Sequence, residues 1–77
     1  MDMSTMVAAV KKHALANYNT DGWDFIVEAF TDEEIAEVLL EPLDGVPATT
    51  EVEAIKAAGD VAKLHDERRR EVQSTAW

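Results

Sequence analysis

Trp23-Asp24-Phe25-Ile26-Val27-Glu28-Ala29-Phe30 decides whether this chain is purely helical or mixed, because it can be read with either period. At a period of two, Trp23, Phe25, Val27 and Ala29 share one face, and the aromatic and β-branched content suits a strand. At a period of 3.6, Trp23, Ile26, Val27 and Phe30 share a face and leave Asp24 and Glu28 outside it. No other segment supplies a partner strand, and a lone strand is not stable, so the helical reading is preferred. Asp21 is then expected as N-cap, with Asp24 reaching back from the third helical position. Phe25 falls opposite the apolar face, exposed beside Asp24 and Glu28.

Toward the N-terminus, Asn19-Thr20-Asp21-Gly22 reads as a turn. Before it, Met3, Val7, Val10, Ala14 and Tyr18 recur at helical spacing and predict a helix over about Ser4 to Tyr18. Ser4 or Asp2 is its expected N-cap, and asparagine in Asn17-Tyr18-Asn19 is expected to end it in the left-handed conformation.

Toward the C-terminus, Thr31-Asp32-Glu33-Glu34 is a capping box, with Thr at the N-cap and Glu at N3. It predicts a helix from Asp32 to about Glu41 with Ile35, Val38 and Leu39 on its inner face, ended by Pro42. Residues 42–49 form a loop turning at Asp44-Gly45, with Leu43 and Val46 expected to pin it to the core. A second box, Thr50-Glu51-Val52-Glu53, opens the longest helix, Glu51 to about Gln73. That helix carries two stripes: Val52, Ile55, Gly59, Ala62, and Ala54, Ala57, Val61, Leu64. Residues 73–77 are expected to fray. The fold expected is all-α, one domain over residues 1–77 built as a small bundle of about four helices.

A chain of 77 residues buries only about 60% of its unfolded surface, so its core is marginal. Twelve of the residues counted as hydrophobic are alanine, which thins that core further. Such a chain is expected to lean on a partner or on a second copy. It has no cysteine, which removes disulfides and thiolate metal sites and agrees with a cytoplasmic setting. The N-terminus lacks the basic-then-apolar build of a leader, and no run is apolar enough to span a membrane.

Charge is the informative quantity. From His13 to Ile55 there is no lysine or arginine, yet eleven carboxylates fall in that window, and it accounts for the whole net charge of −9. A field of one sign repels nucleic acids and anionic membranes and attracts basic surfaces. Asp32, Glu33, Glu34, Glu51 and Glu53 lie in first turns, where the helix dipole explains them. Asp24, Glu28, Glu37, Glu41 and Asp44 have no such local reason. Glu37 and Glu41 repel one another at i, i+4. With Phe25 as an apolar anchor, these six are the expected partner-binding residues.

Other chemistries find little support. The acidic clusters lack the alternating ligands and terminal glutamate of a calcium loop, so no metal and no cofactor are expected. His13, beside the first apolar stripe, reads as a boundary residue, and His65, among charges, as solvated. Catalysis is not expected, because paired carboxylates need a cleft that separates their pKa values, and short helices seldom enclose one. Arg68-Arg69-Arg70 is flanked by Asp66, Glu67 and Glu71 and reads as a clamp on the acidic window or as part of a self-association contact.

Tyr18-Asn19-Thr20-Asp21-Gly22-Trp23-Asp24-Phe25-Ile26-Val27-Glu28, followed by Asp32-Glu33-Glu34-Ile35-Ala36, resembles small open reading frames of tailed phages and prophages that carry a tyrosine, Gly-Trp-Asp, Val-Glu and an acidic helix start. The resemblance covers roughly residues 14–39 and brings no site residues with it. It implies the context of a phage accessory protein, in which small acidic inhibitors of host machinery, including anti-CRISPR proteins and DNA mimics, are common.

The function expected is that of a non-catalytic acidic binder. It would inhibit or modulate a host protein by offering carboxylates to a basic, nucleic-acid-binding surface. The competing expectation is a structural or regulatory homo-oligomer, a dimer formed through Ala54, Ala57, Val61 and Leu64, whose acidity serves only solubility.

Overall fold

A computed structural model of the chain describes residues 2–75, with the backbone alone for 73–75. It contains four helices and, among the described residues, no strand: α1 Met3–Ala16, α2 Trp23–Ala29, α3 Asp32–Leu40 and α4 Glu51–Thr75. The ambiguous segment is therefore helical. As expected for a small all-α bundle, α1 packs on α4, α2 and α3, and α4 also contacts α2 and α3. At about 1.5 Å per residue, the 25-residue α4 spans about 38 Å, which accounts for most of the 47 Å long axis of the molecule.

The start of each helix is set by local chemistry. Asp2 caps α1 by accepting from the Thr5 N–H at 2.7 Å, one of the two expected choices. Thr31 and Glu34 form the reciprocal box at α3 as predicted. The box at α4 is offset by one residue. Thr50 Oγ1 accepts from the Glu53 N–H, but the Glu53 carboxylate reaches past Thr50 to the N–H and hydroxyl of Thr49. α2 departs further. Its N-cap is Gly22 at φ 81, which has no side chain to cap with, and Asp21 before it is itself left-handed at φ 48. The left-handed step thus falls in this turn. It does not fall at the end of α1, where Asn17 has φ −121 and its amide donates to the His13 carbonyl. α1 stops two residues short of Tyr18.

Gly22 is where α2 meets α4 closely. A Cβ there would lie 2.2 Å from the Ala62 carbonyl oxygen. Only a residue without a side chain lets the two backbones approach this far. The facing surface of α4 is built of alanine: Ala54, Ala57, Ala58 and Ala62 are all buried. Val10, Ala14, Trp23, Ile26, Ile35 and Leu39 fill the space between them. Met6, absent from the expected stripe of α1, is also buried.

Two loop expectations are corrected. Leu43 and Val46 are 61% and 63% exposed, and Pro42 and Ala48 hold the loop down instead. The Ala48 N–H donates to the Leu39 carbonyl at 2.9 Å, and the turn between closes from the Gly45 N–H to the Pro42 carbonyl. Of the expected frayed tail, the backbone of residues 73–75 continues α4, and residues 76 and 77 lie outside the described part.

Candidate functional site

The carboxylates of the acidic window divide into those with a local partner and those without. Asp32 pairs with Lys11 at 2.9 Å and ties the start of α3 to α1. Asp24 pairs with Arg69 at 3.3 Å, and Arg69 also holds Asp66 at 2.9 Å, so this guanidinium clamps α2 to α4. Those two carboxylates in turn hold the Arg69 pKa above its ordinary value, Asp66 foremost. Arg70 reaches Asp66 at 3.0 Å. The arginine run therefore closes partly on the acidic window, as one of its two expected roles required. Asp44 bridges to Lys56 at 3.6 Å, and Asp60 meets the same lysine at 3.2 Å. Both acids raise the Lys56 pKa, Asp60 most. The Tyr18 hydroxyl donates to Glu28. Glu34 and Glu53 are used in caps.

What remains free lies mainly on α3. The side chains of Glu33, Glu37 and Glu41 are exposed and make no hydrogen bond or ion pair among the described residues. They succeed one another at intervals of four, with Glu41 at the C-cap. Ile35 and Leu39, on the opposite side of the helix, are buried, so this row can face only outward. Glu37 and Glu41 border a shallow groove of about 280 Å³ floored by Phe30 and Val38. Glu33 borders a second groove, toward α1. Each like-charge i, i+4 contact costs roughly 0.2–0.5 kcal/mol, so the row is kept against the stability of its own helix.

Of the six expected partner-binding residues, Glu37 and Glu41 are brought together on this face. Asp24 and Asp44 are engaged in ion pairs elsewhere, and Glu28 is engaged by Tyr18. Phe25 is not an exposed anchor. Its ring stacks on His65 at 3.6 Å with an interplanar angle of 6° and meets Phe30 edge-on at 5.1 Å. The single-face reading of α2 fails because α4 covers its second side. For the same reason His65 is half-buried and not solvated, whereas His13 is a boundary residue set edge-on to Trp23 at 4.7 Å. Glu33 was assigned to the helix dipole. Its place one turn before Glu37 is the sequence signal that puts it in the same exposed row.

The expected self-association stripe is not an open surface. Ala54 and Ala57 are 0% and 6% exposed, covered by the other helices of the same chain, and Val61 and Leu64 are half-buried. The stripe is small because it is the tight wall of the monomer's own core.

No group of three or more acidic or histidine side chains among the described residues is placed to hold a metal ion. No helix there is long and apolar enough to cross a membrane. Compared with known proteins, the sequence matches no family model, no curated protein and no solved structure.

Proposed function

We propose that this chain is a non-catalytic binding protein of phage type whose α3 face docks on a basic, nucleic-acid-binding surface of a larger host protein and blocks it. The observation that carries this reading is the row Glu33, Glu37, Glu41. These three charges are exposed and unneutralised, on a helix anchored firmly by its other side. Of the remaining acids of the window, Asp24, Asp32 and Asp44 are paired with cations and Glu28, Glu34 and Glu53 are held by hydrogen bonds, which favours this row as the docking face. A cationic groove that normally holds phosphates would accept carboxylates at the same positions, as in anti-CRISPR proteins and DNA mimics. Long-range attraction would draw the partners together and weaken as salt shortens the Debye length to about 10 Å at 0.1 M. The apolar floor at Phe30 and Val38 adds a dry contact for the stem of a long basic side chain.

The test is capture from host lysate by immobilised parent chain and by the Glu37→Lys, Glu41→Lys double variant, at low and high salt. The expected result is a nucleic-acid-binding protein retained by the parent, released by added duplex DNA and lost with the double variant. Equal capture by both, or capture that duplex DNA leaves untouched, would rule out the α3 face as a phosphate substitute.

A further inference from the structure

A different surface of the molecule is electrically balanced. Along α1 and the first turns of α4 runs an open groove of about 500 Å³. Its floor is Ala8, Ala9 and Ala16 of α1 with Ile55 of α4, and its two charges are Lys12 and Glu51. Neither of those side chains is engaged in an ion pair or hydrogen bond among the described residues. Val52, one turn before Ile55 on the same face of α4, is 77% exposed, the largest exposure among the bulky apolar side chains of the described residues.

We propose that this groove is the seat of a second copy of the chain, docked about a two-fold axis so that Lys12 of each copy meets Glu51 of the other. Charge complementarity selects this occupant. Two molecules of net charge −9 repel one another over most of their surfaces. The groove is locally neutral, with one cation and one anion on the same patch. A two-fold contact brings a patch against itself, and a patch with one charge of each sign can satisfy both at once. A strongly basic partner would gain nothing from Lys12, and an acidic one nothing from Glu51. The alanine floor lets a facing helix come close, and Val52 and Ile55 gain burial that the monomer withholds. The dimer is thus assembled through the outer face of α1 and the start of α4, not through the alanines that face the core. It leaves Glu37 and Glu41, which border a different groove, outside the contact and does not depend on the partner proposed for them.

Sedimentation equilibrium on the whole chain up to high micromolar concentration, with circular dichroism as a check on helicity, tests this. The parent is expected at twice the 8.5 kDa chain mass. Lys12→Glu and Glu51→Lys alone each turn both cross-contacts repulsive and are expected to weaken the dimer by roughly tenfold or more. Together they restore the pairing with the signs exchanged and should return the dimer. Ala8→Trp, at an exposed position on the floor, fills the groove without changing either charge and should leave a folded monomer. A parent that stays at 8.5 kDa overturns the proposal. So do single charge reversals that dimerise like the parent, a well-folded double reversal that stays monomeric, or an Ala8→Trp variant that still pairs.

Discussion

Gly22→Ala should be poorly tolerated by this fold, and Gly45→Ala isolates the reason. The two glycines have nearly the same backbone, φ 81 and φ 78, but a Cβ at Gly45 meets nothing within 4 Å. Gly45→Ala therefore carries only the left-handed penalty of about 1–2 kcal/mol, less about 0.4–1 kcal/mol from the stiffer unfolded chain, for a net loss near 1 kcal/mol. Gly22→Ala carries the same loss and a collision besides. Its Cβ would sit 2.2 Å from the Ala62 oxygen and 2.9 Å from the carbonyl carbon. Ordinary contact begins at 3.4 Å, so the backbones must part by about 1.2 Å. The obstacle is backbone in the middle of α4 and cannot swing aside. Parting there lifts Trp23, the next residue, away from Gly59. Overpacking of this kind costs about 1–3 kcal/mol, so the total is about 2–4 kcal/mol. A domain of this size has about 4–12 kcal/mol in all. At about 4–8 °C per kcal/mol, Gly22→Ala should melt about 8–32 °C below the parent and Gly45→Ala only about 4–8 °C below it. Thermal melts followed at 222 nm decide it. If the two variants melt within a few degrees of one another, the α2 turn is not seated on Ala62 and the packing argument fails.

Thr31→Ala should cost about 1 kcal/mol by removing the acceptor for the Glu34 N–H, and a urea midpoint equal to the parent's would deny that cap any role. Glu53→Gln tests pH dependence. The Thr49 hydroxyl and N–H hold the Glu53 carboxyl below its ordinary value of 4.5, so its contribution is complete above that pH and lost as pH falls further. Asp2, lowered by its bonds from Thr5, acts in the same direction. The Gln variant should lose less melting temperature than the parent between pH 7 and pH 3, and an equal loss would take Glu53 out of the acid response.

What could be read beforehand was what local chemistry governs. Thr31 and Glu34 announced α3 three residues apart, and Pro42 announced its end. The period of α1 exposed Val7, Val10 and Ala14. The segment at Trp23 was settled by exclusion, because nothing else in the chain could pair with a strand. The misreadings of the helix faces share one origin, the position of α4. A helix wheel assigns one buried side, but α2 is covered on two, so Phe25 and His65 found each other where each alone looked solvent-bound. Ala54 and Ala57 read as the seam for a second copy, because side-chain bulk was weighed without the closeness of the backbones. Of the acidic residues, Glu37 and Glu41 were identifiable by their unforced repulsion. Asp24 and Asp44 were not, because their cations, Arg69 and Lys56, lie far along the chain or across a loop.

The alanine wall of α4 also determines how the molecule responds to temperature. Cohesion here comes from short distances more than from hydrocarbon mass, and alanine exposes little apolar area when the chain opens. The heat-capacity change of unfolding follows that area and, for a chain of 77 residues, is at most about 1 kcal/mol/K. An alanine-lined core lies toward the low side of that value. The stability curve is correspondingly broad, with a gentle decline on warming and little loss in the cold.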